Sequence, residues 1–368
     1  MPIHNRILYI GPYREFSGAG NSARNYIEAL HKAGHDVCIV PIFSTGDLYP
    51  ENDISSEILP LENNFLKSYD IVIQHCHPFD YVYDHRFAKN IGIYQFNSLS
   101  INPGIYSRLD ILDKIIVNSR TNYNTILNKC SNQLENKIYI VPELINTKLK
   151  ENNYIRYEWL PSENRPYVFY ANGDFIGRKN LPKIIMAFML AFDKDDNVEL
   201  LIKTKPHHSH NNPSLMEKEL DYEMNKIYGA LRREKLLCKQ PKIMIGKFNY
   251  NSLLSMHYNG DCYIDISMGE NFGYGVLEAA LFNNDIIVNS NSSSAEIVNC
   301  YKVDADVINI NDPFTKNFVE SQITDRWSDV DFNHLVEQMK NAEINRYSNN
   351  KNYDISKYDF STINELIC

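Results

Sequence analysis

The chain has 368 residues, which suits two domains of about 150 to 200 residues better than a single core. Hydrophobic residues make up 43% and charged residues 23% of it, the balance of a soluble globular protein. The formal net charge of -9 argues against a nucleic-acid partner, because phosphate contacts need a basic face.

The seven cysteines are scattered and include no Cys-x-x-Cys pair. This spacing predicts free thiols in a reducing compartment and no metal site. No N-terminal stretch has the pattern of a secretory signal, and the longest apolar run, residues 184–192, is far shorter than the roughly 20 residues of a membrane span. We therefore expect a cytoplasmic protein, and a peripheral contact with a membrane stays open.

In the first half of the chain, apolar runs alternate with helical patterns. RILYIGP predicts a strand, NSARNYIEALHKAGHDV a helix ending at Gly34, and VCIVPIF a second strand. Further strands are predicted in DIVIQH, NIGIYQF, KIIVNS and KIYIVPE, with a helix in RTNYNTILNKCSNQL. Buried runs that alternate with helices are typical of parallel strands covered on both faces.

The polar, proline-containing stretch WLPSENRPYV places a domain boundary near residue 160, and the pattern then restarts. Strands are predicted in YVFYANG, VELLIKTK, KIMIGK, DCYIDIS and DIIVNS, and helices between them and in DVDFNHLVEQMKNAEI. We predict an α/β fold of two doubly wound Rossmann-like domains facing a cleft. They comprise residues 1–160 and 161–345, and segment 346–368 is expected to pack back on the first domain.

The stretch GENFGYGVLEAALF, residues 269–282, follows a predicted strand with a glycine-rich turn and a helix. Uncovered backbone N–H groups at such a turn bind anions, so Gly273 and Gly275 predict a diphosphate site. Glu278 would then face a neutral diol such as a ribose, and Glu270 a sugar hydroxyl. Alternatively, Glu278 is a solvated acid that complements the helix dipole.

A basic turn follows the first strand of the second domain, in DFIGRKNLPK. Arg178 and Lys179 there could neutralise a departing diphosphate, because fixed positive charge eases the breaking of a sugar–phosphate bond. Lys203, at the end of the next strand, would lie at the same rim. The alternative for each is an ordinary solvated surface charge.

In the first domain, Gly18 and Gly20 lie in SGAGNSA, which is close to the dinucleotide-binding fingerprint. The glycines begin seven residues after the strand, and the second strand ends in Pro41 rather than an acid, which argues against NAD. They are predicted to be binding-site backbone, with a flexible loop as the alternative. His75 ends the strand DIVIQH, where a neutral imidazole suits a sugar hydroxyl or plays a structural role.

These motifs together resemble the family 4 glycosyltransferases, retaining enzymes of the GT-B fold. SMGENFGYGVLEAALFNNDIIVNSNSSSAEIV is similar to the family's Glu, seven residues, Glu signature, and YVFYANGDFIGRKNLPKIIMAF to its basic turn. The family's Arg usually lies several residues before the Lys, near Gly173 here, so which cation takes its role stays open. The segment IVPELINT also departs from the family, with Glu143-Leu144 in place of Asn-Gly.

The resemblance implies a hexosyltransferase-like enzyme that moves a sugar from a nucleotide diphosphate sugar to a glycan, lipid-linked or protein acceptor. The second domain would bind the donor and the first the acceptor, without cofactor or metal. The implied catalytic residues are Glu270, Lys179, Arg178 and His75, and the implied donor-binding residues are Glu278, Phe272, Gly273, Tyr274, Gly275, Gly18, Gly20 and Lys203. Two alternatives stay open: a nucleotide-sugar 2-epimerase of the same architecture, and a non-catalytic protein that binds sugar nucleotides or glycans.

Overall fold

A computed structural model describes residues 4–43, 48, 54–128, 132–160, 163–205, 213–232, 237–310, 326–346 and 351–367. The chain divides into two compact units. The first unit contains the described residues up to Leu149 and those from Ser356 onward. The second unit contains the described residues of Lys150–Asp312 and Arg326–Ile355.

The first unit is built on a parallel sheet in the order β2-β1-β3-β4-β5-β6. Its strands are β1 (Arg6–Gly11), β2 (Asp36–Pro41), β3 (Ile71–Gln74), β4 (Lys89–Ile93), β5 (Lys114–Val117) and β6 (Ile138–Ile140). Its helices include α1 (Gly18–Lys32), α2 (Tyr106–Asp110) and α3 (Arg120–Leu127). The strand order reverses between β1 and β3, which makes the carboxyl ends of these two strands a binding crevice of the doubly wound kind.

The second unit repeats this plan with a parallel sheet in the order β12-β11-β10-β7-β8-β9. Its strands are β7 (Tyr167–Asp174), β8 (Val198–Lys205), β9 (Lys242–Ile245), β10 (Cys262–Asp265), β11 (Asp285–Asn289) and β12 (Tyr301–Val303). Its helices are α4 (Leu181–Ala191), α5 (Pro213–Leu231), α6 (Tyr250–Asn259), α7 (Tyr274–Leu281) and α8 (Phe332–Ile344), and β13 (Ala305–Asn309) pairs antiparallel with β14 (Arg326–Val330). The order here reverses between β7 and β10.

The strands form where the sequence has continuous apolar runs. Every residue of β3, β5, β10 and β11 is buried, as expected for strands with both faces covered. The apolar core of each unit is formed by these strands and the buried faces of their helices. The predicted class, an α/β fold with two parallel sheets, is confirmed.

The segment from Ser356 onward, which includes α9 (Asn364–Ile367), is part of the first unit. Ile363, Leu366 and Ile367 are buried in that unit's core. The backbone N–H of Ile145 donates to the carbonyl of Tyr358 at 2.8 Å. The first unit therefore combines residues from two distant parts of the chain.

A search of the described residues for a helix long and apolar enough to cross a membrane found none.

Helix α1 begins three residues before the predicted start because Ser17 caps it. Ser17 is extended, and its hydroxyl accepts a hydrogen bond from the N–H of Gly20 at 3.0 Å. A Cβ on Gly20 would lie 2.1 Å from the carbonyl oxygen of Glu15, whereas a Cβ on Gly18 would meet nothing within 4 Å. The glycine segment is therefore an ordered first turn of a helix, rather than the flexible loop that was the alternative.

Gly20→Ala should destabilise the protein by about 1–3 kcal/mol, because the added methyl overpacks against backbone that cannot rotate away. Gly18→Ala, two residues earlier, is the matched control, and its stability should be unchanged or slightly raised. Chemical denaturation measures both. Equal effects of the two substitutions would contradict the packing described for Gly20.

Candidate functional site

The carboxyl ends of β7 and β10, at the strand reversal of the second unit, bring together three charged side chains. The Nζ atom of Lys179 lies 2.6 Å from Oε2 of Glu270, and Nη1 of Arg178 lies 3.2 Å from the same oxygen. The N–H of Met268 donates to the carbonyl of Arg178 at 2.8 Å and joins the two loops through their backbones. Both cations contact Glu270, so neither is the solvated surface charge that was the alternative.

Local backbone geometry explains how Lys179 reaches this position. It lies in a short turn, Gly177–Lys179, and Asn180 after it adopts the left-handed conformation with φ 57°. A Cβ on Gly173, the position near which the resembled family has its arginine, would lie 3.1 Å from Cγ of Lys179. The aliphatic stem of Lys179 therefore packs on bare backbone of β7.

The charge state of Glu270 follows from its neighbours. Burial alone would raise the pKa of its carboxyl, but the charges and hydrogen bonds of Lys179 and Arg178 outweigh burial and lower the pKa to about 2. Glu270 is therefore ionised at any physiological pH. With two cations and one carboxylate, this group carries a net positive charge that can attract an anion.

Neither glycine at the turn into α7 has room for a side chain, because neighbouring residues pack against it. Gly273 has φ +95°, and a Cβ there would lie 2.5 Å from Cβ of Ser294. A Cβ on Gly275 would lie 2.2 Å from the hydroxyl of Tyr263. Phe272 is buried and Tyr274 is half-buried. At these two positions at the start of α7, only glycine fits, and the backbone there is not covered by a side chain of its own.

Glu278 lies inside α7 and is 4% exposed, so it is not a solvated acid. Its Oε2 atom lies 3.2 Å from Nε2 of His257, which is fully buried in α6. Its Oε1 atom is buried and has no hydrogen-bond partner among the described residues. A buried carboxylate oxygen without a hydrogen bond destabilises the fold, unless a water molecule or a ligand hydroxyl donates to it.

Lys203 lies on β8 and is also buried, with 5% exposure. Its ammonium is 5.6 Å from the ring centroid of Phe248, within cation–π range. Among the described residues, no three His, Cys, Asp or Glu side chains form a metal-binding group.

The first unit has its own buried polar cluster at the carboxyl ends of its strands. His75 follows β3, is 3% exposed, and its Nδ1 atom lies 2.7 Å from the hydroxyl of Tyr9. Burial lowers the pKa of His75 to about 4, against the opposing effect of the Gln95 side chain. The imidazole is therefore neutral at physiological pH.

Glu143 is a second member of this cluster, and the sequence had indicated no role for it. Its Oε1 atom accepts from Nε2 of Gln95 at 2.5 Å, and the same nitrogen lies 3.0 Å from the hydroxyl of Ser22. Its Oε2 atom is buried without a hydrogen-bond partner among the described residues. Burial raises the pKa of Glu143 to about 7, with Ser22 and Gln95 opposing it. An acid just past a predicted strand, as in IVPEL, is the signal that could have drawn attention to it.

Comparison with known proteins places the fold. No protein-family model and no curated protein sequence matches the chain. The trehalose-6-phosphate synthase OtsA has a TM-score of 0.65 at 12% identity, covering 98% of both chains. An E. coli structure bound with UDP-2-fluoro glucose has a TM-score of 0.60 at 11% identity, covering 98% of this chain and 94% of that one.

A sucrose-phosphate synthase from Thermosynechococcus elongatus has a TM-score of 0.61 at 13% identity, covering 98% of this chain and 96% of that one. Identities this low show the fold alone. The fold is that of the GT-B glycosyltransferases, as the sequence predicted.

The raised pKa of Glu143 has a consequence for stability. Folding favours the protonated form of Glu143. The stability that this form contributes is therefore lost as the pH rises from 4.5, the ordinary pKa of a glutamate, through about 7, the pKa of Glu143 in the folded protein. Glu143→Gln, which stays neutral, should gain about 1–3 kcal/mol of unfolding free energy relative to the wild type between pH 5 and pH 8, measured by denaturant titration.

Glu62→Gln is the control with the opposite sign. Hydrogen bonds from Arg14 and Tyr13 lower the pKa of Glu62 in spite of its partial burial, so ionised Glu62 stabilises the fold above its ordinary pKa. This variant should be less stable than the wild type at pH 8. A Glu143→Gln difference that does not change with pH would contradict the burial of an ionisable Glu143.

Proposed function

We propose that the chain is a retaining glycosyltransferase that moves a sugar from a nucleotide diphosphate sugar to a hydroxyl acceptor. The observation that carries the proposal is the group of Lys179, Arg178 and Glu270 beside the glycine turn of α7. Positive charge, glycine backbone at a helix N-terminus and an ionised carboxylate are what a diphosphate with an attached sugar requires. The UDP-2-fluoro glucose bound by the E. coli neighbour supports the same ligand class.

In the proposed reaction, the diphosphate draws Lys179 and Arg178 to its oxygens. Charge then develops on the leaving diphosphate as the bond to the sugar breaks, and the two cations stabilise it in the transition state. Glu270, which pairs with both cations in this structure, becomes available to accept hydrogen bonds from the sugar's hydroxyls. The backbone of Phe272, Gly273, Tyr274 and Gly275 and the side chain of Lys203 are assigned to the phosphates.

Glu278 is assigned to the nucleotide's ribose. The support is its buried Oε1 atom, which has no hydrogen-bond partner among the described residues, because a neutral hydroxyl donor satisfies such an oxygen without the repulsion that a phosphate would meet. Retention of configuration follows the sequence resemblance and suits a displacement on the leaving-group side of the sugar.

For the first unit, the proposal assigns His75, Gly18 and Gly20 to substrate binding and the unit as a whole to the acceptor. A neutral imidazole can donate to or accept from a sugar hydroxyl. The N–H of Gly20 already donates to Ser17, so its contribution would be close approach of the backbone. The acceptor is proposed only as a hydroxyl compound.

A donor panel tests the function. We expect one of the UDP-, GDP- or ADP-sugars to raise the melting temperature by mass action, and we expect nucleotide release with sugar transfer to a mixed acceptor pool. The reaction should persist in excess EDTA, because Lys179 and Arg178 supply the positive charge. Epimerised donor without acceptor would instead identify a 2-epimerase, and binding without turnover a non-catalytic protein.

Lys179→Met should lower kcat/KM by about 10²–10³-fold, the size expected when one group that stabilises transition-state charge is lost. Methionine keeps an unbranched stem to pack on Gly173. Lys183→Met is the matched control, because Lys183, on α4, is a similarly buried lysine that pairs with Asp329 of β14. It should keep activity within about threefold, and an equal loss in both variants would remove Lys179 from the catalytic residues.

A further inference from the structure

Glu278 is held by a chain of buried hydrogen bonds that the sequence did not indicate. Asn284, Tyr170, His257 and Glu278 come from four different elements or loops, and none is more than 8% exposed. The hydroxyl of Tyr170 lies 2.8 Å from Nδ1 of His257, and Nε2 of His257 lies 3.2 Å from Oε2 of Glu278.

The directions of the bonds in this chain follow from one backbone carbonyl and from the acceptor available to the hydroxyl of Tyr170. The carbonyl of His257 can only accept, so the Asn284 atom 2.7 Å away is its amide nitrogen, Nδ2. The same nitrogen lies 2.6 Å from the hydroxyl of Tyr170 and donates to it. The hydroxyl is buried, and among the described residues Nδ1 of His257 is the acceptor within hydrogen-bonding distance of it, so the hydroxyl donates its own hydrogen to Nδ1.

A histidine that accepts at Nδ1 carries its hydrogen on Nε2 in the neutral form. His257 thus donates to Oε2 of Glu278. The imidazole cannot rotate out of this role easily, because the rings of Tyr170, Tyr263 and Phe282 surround it at centroid distances of 5.3, 5.4 and 6.2 Å. The ring of Tyr170 packs on the bare backbone of Gly260, where a Cβ would lie 2.2 Å from it.

We propose that His257 is a positioning residue that fixes Oε2 of Glu278 and leaves Oε1 to accept a hydrogen bond from a ribose hydroxyl of the bound nucleotide. The inference rests on the proposed function, because it needs a nucleotide at Glu278. It adds that discrimination for ribose comes from the hydrogen-bonded chain Asn284–Tyr170–His257 behind the carboxylate as well as from the carboxylate itself. A freely rotating Glu278 would contact the same hydroxyl only part of the time.

The test measures how strongly the protein prefers ribose. Dissociation constants are compared for UDP, GDP and ADP and for their 2′-deoxy and 3′-deoxy forms. For the nucleotide that binds, the wild type should prefer the ribonucleotide over at least one deoxy form by about tenfold or more. His257→Leu should bring this ratio close to one and raise KM for the sugar donor, with kcat changed less than about threefold.

Two further variants separate positioning from loss of folding. His257→Gln can still present an N–H near the position of Nε2, and should recover most of the ribose preference. Tyr170→Phe keeps the ring but no longer directs a hydrogen to Nδ1, and should lower the preference by a smaller factor. Tyr167→Phe, on the same strand, removes a buried hydrogen bond to Asp285 that does not lead to Glu278, and should leave the preference unchanged.

The outcomes distinguish this inference from the proposed function. If no nucleotide binds the wild type, both fall together. If a nucleotide binds the wild type and both His257→Leu and Tyr170→Phe keep its full ribose preference, the proposed function survives and the positioning role of His257 is overturned. A ribose preference that drops equally in Tyr167→Phe would also overturn it, because any loss of buried packing would then suffice.

Discussion

The second unit depends on one electrostatic arrangement, the pairing of Glu270 with Lys179 and Arg178. The two cations lie on the loop after β7 and Glu270 lies on the loop after β10. Without the pairing, each side chain would be a partly buried charge with a large desolvation cost. The strand order makes the pairing available, because β7 and β10 are neighbours at the reversal of the sheet. A doubly wound sheet thus turns a separation of about ninety residues into a direct contact, and the same contact supplies the charge that the proposed reaction uses.

The two glutamates of the candidate site are held in opposite ways. Glu270 is kept ionised by cations, whereas Glu278 is held by a hydrogen bond from Nε2 of His257 and keeps one oxygen without a partner among the described residues. One carboxylate is therefore matched to a ligand that displaces its cations, and the other to a ligand that brings a hydrogen-bond donor. The same residue type serves two purposes because the surroundings differ, which is how proteins commonly divide roles between paired acids.

Sequence patterns predicted most of the fold and part of the site. Apolar runs such as IVIQ and CYID predicted parallel strands. The acid, the glycine turn and the basic turn that follow such strands indicated Glu270 and Lys179 as site residues. The short strands β12, β13 and β14 were missed because three to five residues of mixed burial show no clear period. His257 was missed because a polar residue inside an amphipathic helix shows no sign of what it contacts. The partners of Glu143, Ser22 and Gln95, lie in two other parts of the chain that the sequence does not connect to it.

The core of the first unit is completed by residues that are translated after the second unit. Ile363, Leu366 and Ile367 fill part of a core whose other members are translated before the second unit begins. If the first sheet forms on the ribosome, we expect it to lack these three apolar side chains until the second unit has been made. A nascent chain in this state exposes apolar surface while the second unit is being synthesised. We therefore expect chaperones to bind mainly the first unit during synthesis.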